Sequence, residues 1–382
     1  MLKKITFLFL SLSYLVFSQI VTGAENGSEY LSKLKGKNVA LVVNQSSLVN
    51  DEHLVDYLLN QQINVVKIFA PEHGFRGKAD AGQHLKNAVD AQTGLPIVSL
   101  YGKHKKPTPN DLKNIDVLVF DIQDVGVRFY TYLSTLHYIM ESASESHIPV
   151  IVLDRPNPNG GRVDGEVLNL KYKSFVGMHP VPILYGMTIG EYALMINGEG
   201  WLKGHRKANL QVVHLGNYTH RTPYSLPVKP SPNLPNDLSI YLYPSLAFFE
   251  GTPLSAGRGT TNQFQLYGSP YYKKTAFTFK PISREGAKYP KYKNKRCYGV
   301  DLRNKKISLL DGINLNYILD AYRNYRFKKK FFLKNRFIDK LSGSSLLRKQ
   351  ILAGKSSKQI KQSWQKGLKR FRMVREKYLI YP

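Results

Sequence analysis

Three side chains able to do chemistry fall within five residues of one another in the heptapeptide Pro71-Glu72-His73-Gly74-Phe75-Arg76-Gly77. The preceding apolar run, Val65-Val66-Lys67-Ile68-Phe69-Ala70, reads as a strand. An acid, an imidazole and a guanidinium therefore stand at a strand's carboxyl end, where two glycines let the backbone turn tightly. Glu72 is the candidate general acid, because its apolar neighbours Phe69 and Phe75 favour a carboxyl that holds its proton near neutrality. An ion pair with Arg76, or a turn cap, would explain the same spacing. His73 could orient Glu72, bind a metal or fill the loop. No His-x-x-x-His or clustered ligand spacing accompanies it, so no metal site is assigned.

Other strand ends offer partners. Asn44 and Gln45 follow one apolar run, and Asp121, Gln123, Asp124, Arg128 and Tyr130 follow the run Val117-Leu118-Val119-Phe120. Two aspartates three apart could supply a base, a nucleophile or a group that polarises the substrate, with Arg128 to grip a carboxylate and Tyr130 to stack or hydrogen-bond. A helix start with Asp124 as cap and Arg128 as its ion-pair partner is the structural alternative. Asp154 and Asn157 lie in a Pro- and Gly-rich turn and could hold sugar hydroxyls. Farther on, Glu250 and Arg258 sit in Gly-rich loops that could close over a substrate. Acids, amides and arginines converging from several strand ends suit a hydroxyl-rich substrate and acid/base work.

The elements that must position these groups follow from periodicity. Lys37 to Asn44, Val65 to Ala70, Leu95 to Tyr101, Val117 to Asp121, Val150 to Asp154 and Leu210 to His214 read as strands. Their near-continuous Val/Ile/Leu character requires cover on both faces, as in a parallel sheet. Helical spacing occurs at Glu52 to Asn60, about Tyr132 to Ser146 and Ile189 to Ile196. Alternation of the two predicts an α/β fold with a doubly wound, mostly parallel sheet over residues 25–227. No Gly-x-Gly-x-x-Gly turn follows the first strand, so no dinucleotide cofactor, and no other cofactor, is expected. Composition changes near Pro223. The prolines 227, 230, 232 and 235 suggest a linker or a rigid ordered loop, and Pro244 and Pro253 extend the irregular character. A smaller α+β unit over 228–382 follows, with a strand at Ala276 to Phe279 and helices at Leu315 to Tyr325 and Ser357 to Tyr378.

With 382 residues, 42% of them apolar, the chain can bury a large core. Fifty-five Lys and Arg against 27 Asp and Glu give a net charge of +28, which points to a polyanionic partner or a basic compositional bias. Met1-Leu2-Lys3-Lys4, the apolar Ile5 to Phe17 and the small residues up to Ala24 have the order of a secretory signal, so residues 1–24 are expected to be removed. The apolar stretch is short for a membrane span, and stable membrane insertion after cleavage is not expected. Export to the periplasm or medium disfavours nucleic acid as the partner. Cys297 stands alone, which excludes an intrachain disulfide. Oligomeric state is not legible.

Taken together, these motifs resemble the exo-β-N-acetylmuramidases of the NamZ type, long described as a domain of unknown function. The resemblance rests on Pro71 to Gly77, Asp121 to Tyr132, Leu153 to Pro158, Ser231-Pro232-Asn233-Leu234-Pro235, and Phe249 to Thr252 through Gly257 to Thr261, and it reaches Arg375 to Tyr381. It implies a Rossmann-like catalytic domain with a smaller C-terminal domain completing the cleft. It also implies an exported glycosidase that removes N-acetylmuramic acid from non-reducing ends of peptidoglycan fragments. The family's motif glutamate matches Glu72, and Asp121 and Asp124 both match as the second carboxylate. Asn44, His73, Arg76, Gln123, Arg128, Tyr130, Asp154, Asn157, Asn233, Glu250 and Arg258 are the expected substrate contacts, with Arg128 or Arg258 available for the lactyl carboxylate. Two rival readings are a non-catalytic wall-glycan binder and a metal-dependent hydrolase centred on Glu72, His73 and Asp121.

Overall fold

A computed structural model describes residues 19–75, 88–308 and 311–382. The six apolar runs become β1 (Val39–Val43), β2 (Val65–Ala70), β4 (Pro96–Ser99), β5 (Val117–Asp121), β6 (Val150–Leu153) and β7 (Leu210–Val213), and a short strand not read from the sequence, β3 (Ala88–Val89), is added. They form one sheet in the order β7-β6-β5-β1-β2-β4-β3. Every neighbouring pair is parallel except β3 with β4 at the edge.

The unbroken apolar character of these strands has the expected cause. Ala40, Val42, Leu118, Phe120, Val150 and Val152 join one core layer, while Leu41, Val43, Val117, Val119, Ile151 and Leu153 join the opposite one. Leu54, Val55 and Leu58 of α1 (Leu54–Asn60) cover the second layer. Helices α2 (Tyr132–Glu145) and α3 (Ile189–Gly198) cover the first. The α/β, doubly wound sheet read from the sequence is therefore present. Glu52 and His53, expected to open α1, instead pair with Leu48 and Val49, and the His53 ring caps the helix by accepting from the Val55 N–H at 3.2 Å.

Beyond residue 228 lie α4 (Asp237–Leu246) and an antiparallel sheet of β8 (Leu266–Ser269), β9 (Thr278–Phe279) and β10 (Cys297–Asp301), in the order β8-β10-β9. Helices α5 (Asn316–Asn324), α6 (Phe337–Ser342), α7 (Leu346–Leu352) and α8 (Ser357–Glu376) follow. Pro244 had marked α4 as irregular. It sits near the helix's end, and the start is fixed by a capping box between Asn236 and Ser239. Phe248, Ile338, Trp364 and Phe371 pack in the same cluster as Phe120 and Leu136, so one core runs through both units. The chain's end returns to the first unit, where the Tyr381 hydroxyl donates to Asp154 at 2.7 Å.

Strand order reverses between β1 and β5, the place where such sheets open a ligand crevice. Here the polypeptide fills it. Asn44 Oδ1 accepts from the Ser46 N–H at 2.9 Å and its hydroxyl at 2.6 Å, and Ser46 Oγ accepts from the Gln123 N–H at 3.0 Å. Asp121 is fully buried and gripped by Arg155 through Nε at 2.5 Å and Nη2 at 2.8 Å. Gln123 Nε2 donates to the Asp124 and Pro156 carbonyls at 2.8 and 2.7 Å. Asp124 accepts from the Gly126 N–H at 2.6 Å and from the Tyr185 hydroxyl. Gly126 has φ of +73° and lies against the Asn157 side chain, so a Cβ would meet both a backbone and a packing penalty.

The same holds at the next strand. Asp154 accepts from the Thr188 hydroxyl at 2.7 Å and the Gly190 N–H at 2.8 Å, which ties β6 to the start of α3. Asn157 donates to the Met187 carbonyl at 2.7 Å. Arg128, expected either to clamp a substrate or to pair with Asp124, donates to the carbonyls of Glu166, Val181 and Leu341 at 2.7, 2.7 and 2.9 Å. Most polar atoms of these strand-end groups serve the backbone and one another, while Asn44 Nδ2, Asp124 Oδ1 and Arg128 Nε are buried without a partner.

Two expectations follow. Replacing Arg155 with Met would strand a buried Asp121 carboxylate and cost about 3–5 kcal/mol in equilibrium urea unfolding. Burial pushes the Asp124 carboxyl up to about 7, against the pull of Tyr185 and two backbone N–H groups. Its folded-state value exceeds the unfolded value of about 4, so its contribution is complete below that and is lost as the pH rises through about 7. Asp124→Asn should flatten the fall in melting temperature across that window, and an unaltered pH profile would show that Asp124 does not carry it.

Candidate active site

Beside this network lies a recess lined by Leu48, Arg155 and Tyr224, and farther along the same edge lies another opening. A cleft of about 450 Å³ runs between the carboxyl ends of β2 and β4, the start of α2, and loops of the second unit. Glu72 follows β2 directly, and the successive left-handed residues His73 (φ +73°) and Gly74 (φ +78°) turn the chain so that Glu72 and His73 line the cleft. The Thr131 hydroxyl, immediately before α2, donates to Glu72 Oε2 at 2.7 Å. The Tyr101 hydroxyl, two residues past β4, also hydrogen-bonds Glu72. Burial and the Glu72 charge both push that phenol's pKa upward, so Tyr101 stays a donor. Two hydroxyls from separate elements thus fix one carboxyl.

Opposite lies a second charged assembly. Glu250 is in the turn Ala247–Gly251 after α4, and Arg258 Nε reaches its Oε1 at 2.8 Å while the guanidinium stacks over Phe264 at 5.2 Å. Burial would raise the Glu250 pKa, but Arg258 and Lys291 hold it below the usual carboxylate range. Burial opposes the Arg258 charge, and Glu250, with Glu72 farther off, more than restores it. Lys291 also locks the turn, its Nζ donating to the Phe249 and Thr252 carbonyls at 2.9 Å each.

The proline-rich run is an ordered wall. Tyr130 and Tyr132 donate to the same Pro230 carbonyl at 2.8 and 3.1 Å, and Gln45 joins them at 3.1 Å. Asn233, three residues on, donates through Nδ2 to the Gly286 carbonyl at 2.9 Å, which sets the amide's orientation and leaves its buried Oδ1 without a partner at the cleft.

Glu72, His73, Tyr130, Asn233, Glu250 and Arg258 therefore meet in one place, as lining residues. Asn44, Asp121, Gln123, Asp124, Arg128, Asp154 and Asn157 do not line it. Arg76 lies outside the described residues. Tyr101 and Thr131 were not anticipated as site residues, although each stands at an element boundary beside a strand end. Among the described residues, no three His, Cys, Asp or Glu side chains are grouped to hold a metal ion. Glu72 and Glu250 are the two acids at the cleft among the described residues, accompanied by the Arg258 guanidinium and the aromatic residues Tyr101, Phe129 and Tyr243.

Comparison with known proteins agrees with this architecture. Residues 39–238 match the N-terminal domain of the exo-β-N-acetylmuramidase NamZ, and residues 241–381 match its C-terminal domain, the two meeting inside α4. The peptidoglycan β-N-acetylmuramidase NamZ of Bacillus subtilis (strain 168) is 41% identical over 378 residues, covering 92% of this chain and 89% of that protein. Crystal structures of two DUF1343 family proteins from Bacteroides fragilis superpose with TM-scores of 0.88 and 0.79, at 46% and 32% identity. Each match covers 95% of this chain and 99% of the other. By sequence across nearly its whole described length and by fold, the chain belongs to the exo-β-N-acetylmuramidase NamZ family.

Proposed function

We propose that the protein is an exo-acting glycosidase that releases N-acetylmuramic acid from the non-reducing ends of peptidoglycan fragments. The observation that carries this reading is the meeting of Glu72, fixed by Thr131 and Tyr101, with the Glu250–Arg258 pair across one cleft. A muramic acid residue presents a glycosidic oxygen to be protonated, a lactyl carboxylate and a 2-acetamido group. Glu72 donates its proton to the glycosidic oxygen as the bond to the anomeric carbon breaks and an oxocarbenium-like state develops. Arg258, held at Nε by Glu250, keeps its terminal nitrogens for the lactyl carboxylate.

Asp121 and Asp124, buried and engaged away from the cleft, are poor candidates for the opposing carboxylate. Glu250 is held ionised by its cations, and its role is to orient Arg258. The far face of the sugar is then open to water or to the substrate's own acetamido oxygen. A first product that retains the β configuration assigns that step to the acetamido group, and an inverted one assigns it to water.

The basic surface concentrates fragments of an anionic wall. Export fits this role, with the leader ending ahead of Ile20. Val21 bridges to Gly216, the Gly23 N–H donates to the Asp154 carbonyl at 2.9 Å and Ala24 is fully buried, so cleavage at Ala24 would strip packed residues. Residues 1–18 of the leader lie outside the described residues. N-terminal sequencing of the exported protein should begin before Val21, and a mature chain beginning at Glu25 would contradict this. With a muramic-acid-terminated disaccharide followed by NMR, Glu72→Gln should lower kcat by about a thousandfold or more while leaving the melting temperature in place. Retained turnover would remove Glu72 from the mechanism.

A further inference from the structure

The positive charge of the chain is unevenly placed. Residues 228–382 carry 33 Lys and Arg against 8 Asp and Glu, whereas residues 1–227 carry 22 against 19. The excess therefore belongs to the second unit. Its longest helix, α8, has seven Lys and Arg and a single acid, Glu376. Ile360, Trp364, Leu368 and Phe371 recur at helical spacing and are buried, so that face is spent on the core. The opposite face exposes Lys358, Lys366, Lys369 and Arg370, whose side chains make no ion pair or hydrogen bond among the described residues. Arg372 donates to the Val163 carbonyl at 3.2 Å, and Lys377, just past the helix, stands 3.6 Å from Glu199. The helix, and the row of cations with it, is about 30 Å long.

At the start of α8 this row meets a recess of about 700 Å³ that shares no lining residue with the cleft. Lys358 and Lys361 of α8, Tyr241 of α4 and Arg162 line it, and Asp311 is the one acid among its described lining residues. Lys361 is paired with Asp164 at 2.9 Å. Arg162, 4% exposed, is held by neutral oxygens: Nε donates to the Asp311 carbonyl and Nη1 to Asn159 Oδ1, each at 2.5 Å. Its Nη2 has no partner among the described residues and is not among the unpartnered atoms sealed from solvent. Burial opposes the Arg162 charge, and Asp311, Tyr241 and Asp164 restore only part of it. A guanidinium fixed in this way, with no carboxylate hydrogen-bonded to it, is prepared to receive an oxyanion. Asn314, Asn316, Gln362 and Gln365 complete a polar lining suited to hydroxyls.

We propose that the recess and the outer face of α8 form one binding surface for an anionic, hydroxyl-rich polymer, with one oxyanion seated at Arg162 and Lys358 and further ones along Lys366, Lys369 and Arg370. Phosphodiester and carboxylate groups share this chemistry. A lipid surface fits less well, because the apolar face of α8 is already buried and Met373 is the one large apolar side chain the helix exposes. Nucleobases would find no platform on α8, whose rings, Trp364 and Phe371, are both buried. The surface holds the protein on such a polymer and leaves the cleft free, so the inference does not depend on the glycosidase reading.

The test measures binding of the intact protein to immobilised poly(glycerol phosphate) and polygalacturonate. The triple variant Lys366→Glu, Lys369→Glu, Arg370→Glu is compared with Lys329→Glu, Lys330→Glu, Lys334→Glu, an equal charge change at exposed positions off the helix. The α8 triple should weaken binding about tenfold or more and the control less than about threefold, both with melting temperatures in place. Lys358→Glu alone should weaken binding severalfold, and the polymer on which these losses appear identifies the oxyanion. Equal losses in the two triples would show diffuse attraction and overturn the surface. Tighter binding of the wild-type protein to duplex DNA or phosphatidylglycerol vesicles than to either polymer would overturn the ligand class. The α8 triple should turn over a muramic-acid-terminated disaccharide like the wild-type protein, and a fall would overturn the separation from the cleft. Polymer binding that the α8 triple loses, by a wild-type protein without turnover, would support the surface and sink the glycosidase reading alone.

Discussion

A carboxylate taken out of water must be paired, hydrogen-bonded or neutralised, and this constraint decides which acids remain for chemistry. At the carboxyl edge of the sheet, Asp121 is matched to Arg155, Asp154 is surrounded by donors from α3 and Tyr381, and Asp124 is pushed towards its neutral form. These groups weld β5, β6, α3 and the end of the chain into one body. The consequence is a crowded switch point, with the cleft proposed as the active site displaced along the edge to β2 and β4. Glu72 differs in kind, since its partners are hydroxyls at the mouth of a cleft.

The displaced site needs the second unit. The first contributes Glu72 with Thr131 and Tyr101, and the second contributes Glu250, Arg258 and Asn233. What holds them in register is a shared apolar core and the proline-rich wall, whose Pro230 carbonyl collects donors from Tyr130, Tyr132 and Gln45. A wall made of prolines and pinned carbonyls has little entropy left to lose when a sugar binds, which favours preorganisation over induced closure.

Much of this was legible in the sequence for identifiable reasons. Strands covered on both faces are apolar at nearly every position, so β1, β2, β5 and β6 announced themselves despite Lys67 and Asp121, and α2 and α3 carried clear helical spacing. Helix α4 was masked by Pro244, and α6 and α7 are too short to establish a period. β10, with a cysteine, a glycine and an aspartate in five residues, has too little apolar content to read as a strand. Within the cleft, Glu72, Glu250 and Arg258 were named as candidates because each is a charged residue beside glycines, although ion pairing and tight turns explain that pattern equally well. Asp121, Asp124 and Arg128 could not be sorted from them, since strand-end position says nothing about whether a side chain turns towards the cleft or back into the fold. Tyr101 and Thr131 matter only because the ends of β2, β4 and the start of α2 meet, which is a tertiary fact.

The most direct measurement is a crystal structure of the Glu72→Gln protein with an uncleaved muramic-acid-terminated disaccharide. The account predicts that the residue 72 amide lies within hydrogen-bond reach of the glycosidic oxygen, with the lactyl carboxylate on the Arg258 guanidinium. A sugar bound at Asp121 or Asp124, with Glu72 remote from the scissile bond, would contradict it.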